Sequence, residues 1–379
     1  MTFPRIRISG SSAERSEQYG RLAREQILHI RAGYEHAFAA KGTSWEHAVD
    51  FARQFLPFID AHASHLRGEM EGIAAGSGLS FDEILTLNCR SEILYAATVR
   101  THASIKAGSA YPAMPLLGEC SAMALEGDRT STGQPLVAQN WDWLEALGPG
   151  VILLEVERED GPNYVTLVEA GLLAKMSMNA HGVAMGITTL ASTRDGTPTG
   201  LPFHVLIRML TDAPHVSAAV EMLASVPRAT GGNFMLATAT GAVLNIETSP
   251  GAAENISPQV SLSGALVHTN HFLDPVPGGA DLAALAMPDS FVRYGRLRRA
   301  VDQHERLSPT EIQRALSDHS DFPNSICCHP DVAADPRSRW ATLSSVVLHP
   351  KSRALEVAQG TPCSSGWDQL DYSELLAAT

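Results

Sequence analysis

The sequence predicts an α+β protein in which a helical first quarter leads into layers of antiparallel sheet. Three observations carry that prediction. Apolar residues recur at spacings of three and four from about residue 12 to residue 100. At Cys120 the texture changes to short apolar or alternating runs divided by turn residues. Helical patterns return after residue 200, and strands follow them. This order suits antiparallel layers better than a doubly wound parallel sheet.

Tyr19, Leu22, Ile27, Ile30, Tyr34 and Phe38 mark one amphipathic helix over residues 12–40. Thr43 with Glu46 reads as a capping box for a second helix, running through Phe55 and stopped near Pro57. Ile59, Ala63, Leu66, Met70 and Ile73 mark a third, ended by Gly76 and Gly78. Ser80 with Glu83 repeats the capping signature ahead of Ile84, Leu87, Ile93 and Leu94. Residues 101–118 are small and include Pro112 and Pro115, and they read as a linker. Strands are expected over 120–125, 135–141, 151–156 and 164–169, then a hairpin-like pair over 172–178 and 182–188. Helices are expected over 203–210 and from Val216 through Leu223, with Pro214 in the first turn of the latter. A hairpin over 234–239 and 243–247, helices over 291–301 and 310–316, and strands over 340–348 and 355–358 complete the chain.

Composition narrows the function. The chain has 379 residues, 44% of them hydrophobic and only 18% charged, so it can bury a large core and is not disordered. A net charge of −13 excludes the basic surface that a nucleic acid or anionic membrane needs in a partner. There is no run of 18 apolar residues, and MTFPRIRISG lacks a signal-peptide core, so a cytoplasmic protein is expected. The five cysteines (Cys89, Cys120, Cys327, Cys328 and Cys363) include no CxxC pair and suggest neither a disulfide framework nor a zinc knuckle. Cys327-Cys328 reads as structural burial. His268-Thr269-Asn270-His271 has the spacing of a metal pair but no third ligand in pattern, so no metal and no cofactor are expected. Phosphate-cradling glycine loops and the GxSxG elbow are missing from the sequence.

The change of texture falls on Gly118-Glu119-Cys120-Ser121. Taken alone, a cysteine opening a strand is a small buried hydrophobe. Here a linker that would expose the preceding bond, a small polar successor, and a suitable downstream sequence argue otherwise. Cys120 is read as a nucleophile that becomes a chain N-terminus when the precursor cuts its own Glu119–Cys120 bond. An α-amine has a pKa near ~8. It can therefore take the thiol proton and return it to a leaving amine.

An ordered series supports this reading. It comprises Cys120-Ser121-Ala122, Gln139-Asn140-Trp141-Asp142-Trp143, Glu169-Ala170-Gly171-Leu172 with Asn179-Ala180-His181-Gly182-Val183, Val267-His268-Thr269-Asn270-His271, and Ser338-Arg339-Trp340-Ala341-Thr342-Leu343. The series resembles the acyl-coenzyme A:isopenicillin N acyltransferase family (peptidase family C45) of the N-terminal-nucleophile hydrolase superfamily, over roughly residues 118–360. The resemblance implies a four-layer αββα sandwich of antiparallel sheets with a mainly helical N-terminal segment. It also implies self-cleavage into residues 1–119, a helical small subunit that stays bound, and residues 120–379, the αββα catalytic subunit.

By the same resemblance, Asp142 is the acidic residue that orients the new ammonium, and Asn270 is the side-chain amide of the oxyanion hole. Arg339, preceded by Ser338, is an arginine near the site that neutralises a carboxylate or binds substrate. Trp141, Trp143, Phe234 and Phe272 are candidate walls of an acyl pocket. Three positions depart from the relatives. Glu119 stands where the best-known members have glycine, which implies slower processing. Gln139 replaces an arginine of the bile-salt hydrolases, and Thr188 replaces their second oxyanion asparagine. Bile-salt hydrolysis is therefore disfavoured, and a main-chain N–H is the expected second donor.

The expected activity is hydrolysis of a small N-acyl amine or peptide-like amide, with β-alanyl conjugates of cationic amines suiting an acidic protein. The rival activity passes an acyl group from a thioester or amide donor to an amine acceptor. A non-enzymatic binding protein has only Glu119 in its favour. The expected partners are a small-molecule amide, the chain's own cleaved N-terminal fragment and, in a homodimer, a second copy; neither nucleic acid nor membrane is expected.

Overall fold

The computed structural model describes residues 3–107 and 119–377. The chain opens with a strand that the periodicity did not announce, β1 (Arg5–Gly10), with Ile6 and Ile8 buried on one side. Helices α1 (Ser12–Leu22), α2 (Arg24–Ala40), α3 (Trp45–Arg53), α4 (Leu56–His62), α5 (Ser64–Ser77), α6 (Phe81–Asn88) and α7 (Arg90–Lys106) follow. The expected helix over 12–40 is two, broken at Ala23. Ser44 rather than Thr43 caps α3, accepting the His47 N–H at 3.3 Å. Pro57 lies in the first turn of α4, where its missing N–H has no helical partner to lose, so it starts a helix instead of stopping one. The Ser80–Glu83 capping box forms as read, and Gly78, left-handed at φ 78°, ends α5. Of the expected linker, 101–106 continue α7, while 108–118 lie outside the described residues.

α1 and α5 pack backbone to backbone because glycine occupies the crossing. A Cβ on Gly20 would lie 2.2 Å from Ile73 O, and one on Gly76 would lie 2.1 Å from Glu17 O.

The remaining elements are β2 (Glu119–Leu125), β3 (Leu136–Leu144), β4 (Val151–Arg158), β5 (Tyr164–Glu169), β6 (Met176–Asn179), β7 (Val183–Thr189), α8 (Phe203–Leu210), α9 (Val216–Ala224), β8 (Gly232–Thr238), β9 (Val243–Thr248), β10 (Ile256–Gln259), β11 (Ala265–His268), α10 (Ala283–Ala286), α11 (Ser290–Asp302), α12 (Pro309–Leu316), β12 (Trp340–His349), β13 (Ala354–Gln359) and β14 (Trp367–Asp371). Pro214 precedes the α9 cap, His215, and stands outside the helix. One sheet has the order β1-β4-β5-β6-β7-β8-β9-β10 and the other β11-β2-β3-β12-β13-β14. Adjacent strands are antiparallel except β1 and β4. β10, β11 and β14 escaped the sequence reading because they are short, and β10 carries Pro258.

The two sheets face one another through β2 and β3 on one side and β7 and β8 on the other. Strand alternation then sorts β2. Cys120, Ala122 and Ala124 point into the core shared with Trp141, Ile187 and Phe234. Met123 and Leu125 point the opposite way, into a second core closed by Leu297 and Val301 of α11 and Ile312 of α12. The N-terminal helices and α9 cover the outer face of the eight-stranded sheet. The result is a four-layer αββα sandwich. No helix among the described residues is long and apolar enough to cross a membrane.

The N-terminal segment is part of this body. The Tyr19 hydroxyl donates to Leu172 O (3.0 Å) and accepts the Gly171 N–H (2.9 Å), and Arg90 Nη2 donates to Glu169 Oε2 at 2.9 Å.

Candidate active site

Cys120 lies near the head of β2, opposite Trp141 of β3, and is 3% exposed. Side chains, not a neighbouring strand, take up its main-chain polar atoms. Its N–H donates to Asn270 Oδ1 at 2.7 Å, and its carbonyl accepts Arg293 Nη1 at 2.7 Å. Arg293 also donates to Ser121 Oγ (3.2 Å) and, through Nη2, to Asn270 Oδ1 (3.0 Å). Both groups facing that Asn270 atom can only donate, which fixes it as the oxygen. The amide nitrogen of Asn270 donates to Thr189 O and Thr189 Oγ1, each at 3.0 Å. In the uncut chain, therefore, Asn270 turns its oxygen to Cys120 and its N–H groups to Thr189.

Topology explains the meeting. β11 pairs with β2 so that His268 faces Ala122, and two residues further on Asn270 arrives beside Cys120. Arg293 reaches the same point from α11, anchored by Asp289 Oδ2 at 2.6 Å.

Asp142 is fully buried, in register with Glu119 across β2 and β3. Its Oδ1 accepts the Thr342 hydroxyl at 2.5 Å, while Oδ2 has no hydrogen-bond partner among the described residues. Burial pushes this carboxyl up to about 7 against the pull of the Arg293 charge and the Thr342 hydroxyl. The Cys120 thiol is pushed up to about 12, again by burial; the Lys175 charge draws it down and Asp142 draws it up. Lys175 Nζ lies 3.4 Å from the centre of the Trp141 ring and 3.2 Å from Glu169 Oε2. Desolvation brings its ammonium down to about 7, opposed by the Glu169 carboxylate.

Trp141 and Trp143 come together near Cys120, but their faces carry cations. Arg90 lies 4.2 Å over Trp143, whose Nε1 donates to the Tyr34 hydroxyl at 2.8 Å. Tyr34 in turn donates to Glu169. Thr188 Oγ1 bonds His268 Nδ1 at 2.8 Å, and His268 Nε2 bonds Glu247 at 2.7 Å. His271 Nδ1 bonds Ser290 Oγ at 2.8 Å. The two histidines are thus spent on separate partners. Gln139 is a strut between the sheets, its amide joining the N–H (2.8 Å) and carbonyl (2.6 Å) of Ile187. Phe234 packs on Phe203 in the core, at 5.6 Å between ring centres. Phe272 is seen through its N–H, which donates to Asp281 at 2.9 Å.

Ser338 is exposed in a short 3-10 turn before β12. Arg339 donates to Ala334 O (3.2 Å) and Val332 O (2.9 Å) in its own loop. The arginine that meets Cys120 is Arg293, which the sequence reading did not single out. A signal was there: Arg293, Leu297 and Val301 form the buried stripe of α11, and an arginine on a core-facing stripe needs a partner. Lys175 and Thr189 were missed too, having no motif around them, and Thr342 lay within a motif but was given no role.

An αββα sandwich with two facing, largely antiparallel sheets is the fold of the N-terminal-nucleophile hydrolase class. Within it, the chain belongs to the acyl-coenzyme A:6-aminopenicillanic acid acyl-transferase family, whose family model matches residues 129–363. The family takes its name from an enzyme of acyl transfer. The chain is 27% identical over 351 residues to the 40 kDa form of acyl-coenzyme A:6-aminopenicillanic-acid-acyltransferase of Emericella nidulans, covering 87% of this chain and 90% of that one. Among solved structures it is similar to conjugated bile acid hydrolase of Clostridium perfringens (13% identity, 69% and 94% of the two chains, TM-score 0.46). It is also similar to penicillin V acylase of Agrobacterium tumefaciens (15%, 67% and 87%, TM-score 0.43).

Proposed function

We propose that the chain is a self-processing cysteine amidohydrolase with Cys120 as nucleophile and, after cleavage, its own α-amine as base. The observation that carries this is the hold on the Cys120 main chain by Asn270 and Arg293. Any buried N–H needs an acceptor, but an acceptor and a donor supplied by side chains can stay in place when the Glu119–Cys120 bond is cut and the nitrogen becomes an amine.

In processing, Cys120 Sγ attacks the Glu119 carbonyl carbon. The C–N bond breaks, a thioester forms, and the thiol proton ends on the departing nitrogen. Water then cleaves the thioester, leaving a Glu119 carboxylate and a free Cys120 amine. Residues 1–119 remain bound as the small subunit, and 120–379 carry catalysis.

In turnover the amine takes the thiol proton and the thiolate attacks the substrate amide. The proton then passes to the leaving amine, and water releases the acid. Asn270 Oδ1, already 2.7 Å from the nitrogen, orients the amine, and Asp142 balances its charge. Asn270 Nδ2, which has to leave Thr189 and turn toward the thiol once the bond is cut, and a main-chain N–H are the proposed oxyanion donors. Lys175 favours the thiolate, which its charge already does in the uncut chain. Substrate contact is assigned to Trp141, which pairs with Cys120 across β2 and β3, and with it to Trp143 and Thr188. Ser338 is exposed and Arg339 is bonded within its own loop, so neither is given a role. The substrate is a small N-acyl amine or peptide-like amide, with β-alanyl amines the first to try.

The match over 90% of a penicillin acyltransferase favours a second reading, in which an amine intercepts the same thioester and coenzyme A thioesters are acyl donors. Intact-mass spectrometry of wild type and Cys120→Ala tests the shared step. Two fragments divided between Glu119 and Cys120 are expected from wild type and one chain from the variant. An uncut wild type overturns the proposal. Product analysis with and without added acceptor amines then separates hydrolysis from transfer.

A further inference from the structure

Away from Cys120, four side chains distant in sequence converge: His319, Cys327, His329 and Cys363. One ligand atom from each lies within 4.8 Å of all the others. His319 follows α12, Cys327 and His329 lie two residues apart on the stretch leading to β12, and Cys363 sits on the turn between β13 and β14.

His329 Nε2 is the informative atom. It is 3.2 Å from His319 Nε2, 3.5 Å from Cys327 Sγ and 3.4 Å from Cys363 Sγ. An imidazole nitrogen has one proton or one lone pair, so it cannot satisfy three such neighbours by hydrogen bonding. A shared cation can. A tetrahedral zinc with its usual bond lengths to nitrogen and sulfur sets N···N at about 3.3 Å and N···S at about 3.6 Å. The three distances lie within about 0.2 Å of that pattern. Phe322 packs on both imidazoles, 5.2 Å from His329 and 6.4 Å from His319 between ring centres, and so fixes their planes.

We propose that His319, Cys327, His329 and Cys363 form a structural zinc site. Two thiolates and two neutral imidazoles balance the charge of the divalent ion, and four protein ligands close its shell. Such a site runs against the expectation that the chain holds no metal, and it would give the buried Cys327 a second role. The site pins the segment after α12 to the turn between β13 and β14, and that segment backs the catalytic centre. Ile326 O and Leu316 O accept the two amide protons of Asn140 at 2.7 and 2.8 Å. The Cys328 N–H donates to Thr342 Oγ1 at 2.9 Å, the hydroxyl that in turn donates to Asp142. The site does not depend on the proposed activity.

The test is metal analysis and cobalt substitution on the full chain, fully reduced. Wild type and Cys120→Ala are expected to hold one zinc per chain. With cobalt they should show the visible bands of tetrahedral cobalt together with thiolate-to-cobalt charge transfer. Zinc should also slow alkylation of Cys363, the exposed cysteine, while leaving that of the buried Cys89 unchanged. Cys363→Ser should weaken the charge-transfer band, and His319→Ala should lower zinc retention at least tenfold against a chelator. A reduced wild type that binds neither metal overturns the proposal. So does a cobalt spectrum unchanged in Cys363→Ser. Should either variant fold poorly, the wild-type spectrum and the alkylation protection decide the matter.

Discussion

Replacing Arg293 by methionine separates holding the fold from holding the nucleophile. Arg293 is fully buried and its guanidinium serves Asp289, Cys120 O, Ser121 Oγ and Asn270 Oδ1. Methionine fills much of the space but strands Asp289, which is 5% exposed and whose Oδ1 already has no partner among the described residues. Breaking one half of a buried ion pair costs about 3–5 kcal/mol. Arg293→Met should therefore lower the urea-unfolding free energy of the uncut Cys120→Ala background by about that amount. Adding Asp289→Leu removes the stranded charge and should recover most of the loss. Processing should not recover, because Cys120 O still lacks its side-chain donor and Asn270 Oδ1 keeps only the Cys120 N–H of its two donors. A small misplacement of reacting groups costs about 10²-fold in rate. The assay is the fraction of cut chain against time, by intact mass, in a chain with Cys120 intact. A double variant that cuts at the wild-type rate would refute the positioning role of Arg293.

Further outcomes follow from the buried charges and the close helix contact. Asp142 ionises near 7 in the folded chain and near ~4 unfolded, so the folded chain keeps a proton that the unfolded chain has lost between those values. Stability should fall by about 4 kcal/mol as pH rises through that window, and Asp142→Asn should flatten the slope while abolishing turnover. Lys175 behaves oppositely. The unfolded chain holds its proton up to ~10.4 and the folded chain only to about 7, so stability should rise across that range, and Lys175→Met should remove the rise. Denaturation midpoints at a series of pH values check both. Gly76→Ala forces a Cβ against Glu17 O and should cost about 1–3 kcal/mol by overpacking, read as a lower unfolding midpoint.

Much of the fold could be read from sequence wherever one face of an element is buried. α8 spans the predicted residues, and the strands around Cys120 and Asp142 lie within a few residues of their expected limits. Failures came where pattern and environment part. β1 is six residues long and takes its place from β4, far along the chain. Of the candidate site, Cys120, Asp142 and Asn270 do meet, because local motifs marked them. Arg293, Lys175 and the four converging histidines and cysteines carry no local mark. Their neighbours are set by how helices and strands stack, which spacing along the chain does not encode.

Two buried charge networks flank β2, and strand alternation decides what each one touches. On the helix side, Arg293, Asp289 and Asn270 hold the main chain of Cys120. On the inter-sheet side, Glu169 gathers Lys175, Arg90 and Tyr34 beneath Trp141 and Trp143. Arg90 and Tyr34 belong to the N-terminal segment, so the charge state of Lys175 depends on residues that cleavage would place on another chain. Arg90 opposes the Lys175 ammonium directly, and it also helps keep Glu169 ionised to support it. Losing the small fragment would expose Lys175 and Glu169 to water and strip the field from around the thiol. The two pieces should therefore co-elute in gel filtration under native conditions. Urea that separates them should abolish turnover in step with separation, without reversing the cut. A large fragment that stays active alone would show that this second network is dispensable.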